Sequence, residues 1–171
     1  TISDPARRHF AAAVSHLDDG IGRLITALDE SGKGENTLVI FSSDNGGQQH
    51  ALESGKVYDG RYAPLPHLGK NHPLRGWKGD LYEGGIRVPA FVRWTGVIES
   101  GGVIDSPTHI CDWVPTLIGL AGGATDSAWK LDGLSILSLL KGEGVETGAR
   151  TLYWRTNQGV AIREGDWKLI V

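Results

Sequence analysis

Hydrophobic residues near the start of the chain recur at steps of three and four. Phe10, Val14, Leu17, Ile21, Leu24, Ile25 and Leu28 fall on one side of a 3.6-residue repeat. Asp4 ahead of Pro5 supplies an N-cap and a first-turn proline, and Ser31-Gly32 supplies a stop, so the pattern predicts one amphipathic helix between them. The period then changes. Thr37 to Phe41 is a continuous, partly β-branched apolar run, the pattern of a parallel strand covered on both faces. A helix followed by a buried strand predicts an α/β layer.

Residues 48–73 have no period and are rich in glycine, proline, histidine and tyrosine, which predicts a long surface loop. Ile86 to Trp94 regains strand character, with Pro89 pointing to an edge position or a bulge because proline has no N–H to give to a ladder. Asp112 to Ala121 has helical spacing, with Pro115 in its first turn and Gly122-Gly123 behind it. Ser135 to Leu140 predicts a further short helix. From Thr151 short apolar runs are separated by Asn157-Gln158-Gly159 and Glu164-Gly165-Asp166, which predicts an antiparallel meander. The expected organisation is an α/β body over residues 1–145, followed by the beginning of a small antiparallel subdomain over 146–171.

Composition narrows this picture. With 171 residues, 40% of them apolar, the chain can fill one core and is short for two. Its formal charge of −3 comes from interspersed acids and bases, so no basic footprint marks a nucleic-acid partner. No apolar run approaches the roughly 20 residues of a membrane span, and the N-terminus lacks the features of a signal peptide. Cys111 is the single cysteine, which excludes an internal disulfide and predicts a core residue. The chain opens on Thr1, contains no methionine and stops at Val171 inside WKLIV, so both ends are expected to be cuts in a longer protein. Oligomeric state is not legible.

Candidate chemistry concentrates in two stretches. In the first, LVIFSSDNGG, an acid and an amide stand where a strand leaves its sheet, the edge at which open α/β sheets gather their ligands. Asp44 and Asn45 offer hard oxygen donors without doubled negative charge, a chemistry suited to Ca²⁺ or Mg²⁺ rather than zinc. Gly46 and Gly47 would let the backbone turn sharply and leave room beside the ion. The alternative is a plain Asn-Gly hairpin turn, although the residues that follow lack strand character. Ca²⁺ takes six to eight oxygens, so other ligands are required in either case. In the second stretch, Asn71 to Trp94, Lys78 lies between Gly76 and Gly79, where a flexible ammonium can meet a tetrahedral oxyanion. The alternative for Lys78 is a solvated surface group, and Arg75, Glu83 and Arg87 read as a structural ion-pair set.

The succession ENTLVIFSSDNGG, NHPLRGWKGDLYEGGIRVPAFVRW, HICDWVPTLIGLAG, LDGLSILSLLKG and AIREGDWKLI resembles the type I sulfatases, the arylsulfatase family of the alkaline-phosphatase-like superfamily. The resemblance runs from the LDDGIGRLITAL helix to the last residue. It implies a partial alkaline-phosphatase-like α/β fold and hydrolysis of sulfate esters. It also implies that Asp44 and Asn45 bind the active-site Ca²⁺, with Mg²⁺ as the alternative, and that Lys78 contacts the sulfate. The substrate would be a sulfated small molecule or glycan, and the parent protein periplasmic, secreted or lysosomal.

The family's nucleophile is a formylglycine made from the cysteine or serine of a C/S-x-P-S/A-R motif, which this sequence does not contain; Cys111 sits in HICDWVP. That motif and the remaining calcium ligands are therefore expected upstream of Thr1, and the 171 residues alone are expected to be inactive. A phosphate or phosphonate monoester hydrolase of the same superfamily, or a binding module that keeps the fold without the chemistry, are the alternative readings. His50, His67 and His72, in or beside the loop after the metal pair, are candidates for substrate recognition, as is Trp77 beside Lys78. His9, His16 and His109 read as structural or solvated, and Trp94, Trp113, Trp154 and Trp167 as packing residues.

Overall fold

The structure is a computed structural model that describes residues 2–49, 69–143 and 150–171. In chain order its elements are α1 (Pro5–Glu30), β1 (Val39–Ser42), α2 (Glu83–Ile86), β2 (Ala90–Arg93), α3 (Trp113–Leu120), α4 (Leu137–Leu140), β3 (Thr151–Thr156), β4 (Gly159–Glu164) and β5 (Trp167–Ile170). Two compact units are present, one of residues 1–34, 39–92 and 151–171, the other of residues 35–38 and 93–150.

In the first unit, α1 begins as the sequence predicts. The Arg7 N–H donates to Asp4 Oδ1 at 3.2 Å, closing the N-cap, and Gly32 takes a φ of 71° just beyond the last turn. Its apolar stripe is not a core, however: Phe10, Val14, Leu17 and Leu24 are 43 to 60% exposed, and only Ile21, Ile25 and Leu28 are half-buried. Periodicity fixes which side of a helix is apolar, not whether another layer lies against it.

β1 and β2 are neighbours in a two-stranded sheet, with the rings of Phe41 and Phe91 5.8 Å apart. β1 alternates half-buried and exposed positions and is not covered on both faces as its sequence predicts. The second strand also differs. Residues 83–86 form the helical turn α2, and the strand starts only at Ala90, after Pro89. Proline there keeps its carbonyl for the sheet edge and accepts from the Ser43 N–H at 3.0 Å.

The meander is present as predicted. β3, β4 and β5 pair antiparallel in sequence order, with Tyr153 opposite Ile162 and Ile162 opposite Leu169. Alternation divides this sheet into two faces. Leu152, Trp154, Ala161, Arg163 and Lys168 share one, where Leu152 and Ala161 are buried. Tyr153, Val160, Leu169, Val171 and Trp167 share the other and are exposed, Trp167 at 85%, which corrects the packing role expected for that tryptophan.

The second unit is built around Asp112 and Thr116, both fully buried. A 3₁₀ turn, Ile110–Asp112, leads into α3, and His109 caps it: the His109 N–H donates to Asp112 Oδ2 at 2.7 Å while Nδ1 receives the Cys111 N–H at 3.4 Å. Thr116 Oγ donates to the Asp112 carbonyl at 2.6 Å and accepts from the Ile136 N–H at 2.9 Å. The Leu134 N–H reaches Asp112 Oδ1 at 3.0 Å. These bonds tie the segment before α4 to the start of α3, and Arg150 closes the cluster with a 2.6 Å ion pair to Asp112. His109 is thus structural, as expected, and Cys111 is half-buried with Sγ 3.0 Å from His109 Nδ1.

Candidate functional site

β1 ends at Ser42, and the chain then runs through Asp44 and Asn45 without entering another strand up to Gln49, so the Asn-Gly pair is not a hairpin turn. The loop is held by its own polar atoms. Ser43 Oγ donates to the Asn45 carbonyl at 2.9 Å, and Asn45 Nδ2 donates to the Gly46 carbonyl at 2.9 Å. That bond commits the NH₂ end of Asn45 and leaves its carbonyl oxygen as the end a cation would take. Asp44 is exposed beside it.

Gly46 and Gly47 do not act as the sequence suggests. Neither takes a positive φ. They are glycines because other backbone comes too close: a Cβ on Gly46 would collide with the Gly84 carbonyl oxygen, and one on Gly47 would lie 2.7 Å from Asn71 Oδ1. The approach is made good by hydrogen bonds, from the Gly46 N–H to the Gly85 carbonyl at 2.9 Å and from the Lys78 N–H to the Gly47 carbonyl at 3.0 Å. The loop after β1 is therefore joined by backbone to both the lysine turn and α2.

Lys78 occupies the tip of a turn that spans residues 77–80. The Asp80 N–H donates to the Trp77 carbonyl at 2.9 Å, Gly79 in the third position has a φ of 96°, and Asp80 Oδ2 receives the Trp77 N–H at 2.8 Å. A positive φ at that position is the signature of a type II-like turn and demands glycine. The tip leaves Lys78 exposed, while Trp77 is half-buried at its base.

Arg75, Glu83 and Arg87 are not a mutual ion-pair set. Arg75 lies over the Tyr82 ring at 3.9 Å, and Arg87 is exposed. Glu83 pairs instead with the meander, 2.8 Å from Lys168 Nζ and 3.5 Å from Arg163 Nη1. Sequence distance hid these partners, which are 80 and 85 residues away.

The structure therefore brings Asp44, Asn45 and Lys78 onto adjoining loops of one unit. His72 is exposed next to Asn71 on the same side of the lysine turn in sequence; His50 and His67 lie outside the described residues. Asn71, Asp80 and Ser43 were not singled out from the sequence, since nothing in its spacing says which side chain will bridge two loops. Among the described residues no group of three or more histidine, cysteine or acidic side chains could hold a metal. The oxygen pair at 44–45 suits a hard cation but makes up only part of a calcium shell. A hollow of about 340 Å³ on the exposed face of the meander shares no residue with these loops.

The family described as Sulfatase matches residues 2–124. The chain is 36% identical to mouse arylsulfatase J over 96% of its own length, and 34% identical to mouse steryl-sulfatase over 93%. It covers 28% and 25% of those two proteins, about a quarter of their length. Among solved structures, Ps i-CgsB in complex with k-i-k-neocarrahexaose matches 99% of the chain and 35% of its own, with a TM-score of 0.82 and 28% identity. The PsFucS1 sulfatase from Pseudoalteromonas sp. matches 91% of the chain and 29% of its own, with a TM-score of 0.70 and 29% identity. The chain belongs to the sulfatase family, and its fold is part of the α/β alkaline-phosphatase-like fold.

Proposed function

We propose that the protein to which this chain belongs hydrolyses sulfate esters, and that the chain contributes Asp44 and Asn45 to a Ca²⁺ site and Lys78 to the sulfate. The observation that carries this reading is the hydrogen bond from the Lys78 N–H to the Gly47 carbonyl, 3.0 Å long, which sets the lysine turn against the loop of the acid–amide pair. Family membership supports the same reaction class. A bound calcium ion would supply fixed positive charge for the sulfate oxygens and the departing ester oxygen. Asp44 and Asn45 would hold it through carboxylate and amide oxygens. Lys78, at an exposed turn tip, would direct an ammonium at a non-bridging oxygen, where charge builds as the ester breaks.

The nucleophile, a formylglycine in the reading above, would come from outside the 171 residues. The substrate class is a sulfated glycan or a sulfated small molecule. The sugar ligand of Ps i-CgsB is consistent with the first and the steryl-sulfatase relatives with the second.

The test is turnover of an aryl sulfate and the matching aryl phosphate by the whole protein, with Lys78→Ala and Asp44→Ala beside the wild type. Sulfate turnover that is lost on chelation and falls by about 100-fold or more in Lys78→Ala is expected. Unaltered kcat/KM in both variants, or turnover of the phosphate ester alone, would refute the reading.

A further inference from the structure

Three loops meet at one side chain that the proposed chemistry does not use. Asn71 Oδ1 accepts from the Gly47 N–H at 2.9 Å, and its Nδ2 donates to the Gly47 carbonyl at 3.1 Å and to the Gly76 carbonyl at 2.9 Å. Both amide hydrogens are used, and only the orientation with Oδ1 toward Gly47 N–H satisfies all three bonds. The Gly47 carbonyl also receives the Lys78 N–H at 3.0 Å, so one peptide group is gripped by Asn71 and by the lysine turn together. The Gly76 carbonyl stands at the entrance to that turn. Asn71 is half-buried and 24 residues from Gly47 in sequence, so its two bonds to Gly47 are tertiary and add a side-chain tie to the backbone bond that already joins the two loops.

We propose that Asn71 is a positioning residue: through its two-sided grip on Gly47 and its bond to Gly76 it locks the Asp44–Asn45 loop and the Lys78 turn into one rigid unit, so that cation and sulfate binding are coupled. The coupling to sulfate esters rests on the function proposed above; the grip itself rests on the three hydrogen bonds. No other neutral side chain of this length both donates twice and accepts in a single plane. Aspartate has the same shape but can only accept, and it would set a carboxylate against two carbonyl oxygens. Asn71→Asp therefore separates the bonding from the volume. Serine removes the grip without adding charge.

The experiment uses the whole protein with Asn71→Asp and Asn71→Ser. Hydrogen exchange of peptides covering residues 45–49 and 76–80, without added metal, reads the grip directly. Exchange at Gly47 and Lys78 at least tenfold faster in both variants is expected, with peptides from β3–β5 unchanged. Calorimetric titration with Ca²⁺ and with inorganic sulfate, each with and without the other, reads the coupling. Each ion is expected to tighten the other in the wild type and to do so several-fold less in the variants. A merely local stabilising role would lower Tm and leave the mutual effect of the two ions intact, and that result would overturn the proposal. So would unchanged exchange in both variants, each first checked for a cooperative thermal unfolding transition. Lys78→Ala and Asp44→Ala serve as controls. If these leave ion binding untouched while the Asn71 variants still speed exchange, the proposed function has failed and the grip stands; if they abolish binding while exchange and coupling in the Asn71 variants match wild type, the reverse holds.

Discussion

Asp112 shows how far a single residue can set local stability. Burial alone would push its carboxyl upward; the Arg150 guanidinium and the backbone N–H groups of His109 and Leu134 outweigh burial and hold it below the ordinary carboxylate range. A carboxylate with a depressed folded value contributes stability above its unfolded value of about 4, and that contribution is lost as pH falls through the folded value. The acid limb of Tm below about pH 4 is accordingly expected to be shallower in Asp112→Asn than in the wild type, measured by thermal unfolding between pH 2 and 6. Arg150→Ala leaves the buried charge without its partner and should cost about 3–5 kcal/mol at neutral pH by urea unfolding; a loss under about 1 kcal/mol would contradict the ion pair. The neighbouring Cys111 thiol is pushed up by burial and then by the Asp112 charge, against a smaller opposing effect of Arg150. Cys111 sits in the cap ahead of α3, with its Sγ 3.0 Å from His109 Nδ1.

At the scale of elements, the candidate site is a matter of how closely three glycine-rich loops approach. The lysine at 78 was visible in the sequence by its flanking glycines, but the turn at 77–80 was not read there; Gly79 is required by a φ of 96° that other residues resist. The loop at 44–47 was legible by the residue types it presents, and its glycines for a different reason than their sequence suggested. They are required by the nearby Gly84 carbonyl and Asn71 side chain, which local pattern does not reveal. Gly46→Ala is therefore expected to destabilise the protein by about 1–3 kcal/mol and to weaken ion binding at the same time, since the new methyl must push α2 away from the loop. Denaturant unfolding and calcium titration of that variant check both; an alanine accepted without loss in either would show that the approach is looser than described. Strand β2 is the contrary case. IRVPAFVRW is apolar enough for a longer strand, but Pro89 cannot donate to a ladder and Ile86 is the last residue of α2, with Arg87 as its C-cap, so the strand is limited to Ala90–Arg93.

For the whole molecule, the meander carries the clearest division between core and surface. Glu83 is paired to Lys168 and Arg163 from one of its faces, and Lys168 also lies 5.3 Å above the Trp154 ring. Leu152 on that face is 6% exposed and Leu169 on the other 62%. Leu152→Ala should cost about 2–5 kcal/mol. Leu169→Ala should stay within about 0.5 kcal/mol. Thermal or urea unfolding of the pair of variants decides which face is the core, and equal losses would mean that the sheet is covered on both sides. The chain spans about a quarter of the mouse arylsulfatase J and steryl-sulfatase sequences, at 28% and 25%. The exposed apolar positions of α1 and of the outer meander face are a property of the described residues.

By itself the sequence determined what short-range physics dictates: the 3.6-residue stripe and capped start of α1, the three strands of the meander from their turn residues, and the residue types Asp44, Asn45 and Lys78. Its motifs also carried the resemblance to the sulfatases, since order and spacing survive in a linear string. Tertiary structure alone decided which groups share a site and which faces are buried. Asn71 meets Gly47 across 24 residues and Glu83 meets Lys168 across 85, and such pairings depend on how the chain returns on itself. Hydrogen bonds between distant loops leave no period and no local preference behind, so they can be read only where the backbone has already brought the partners together.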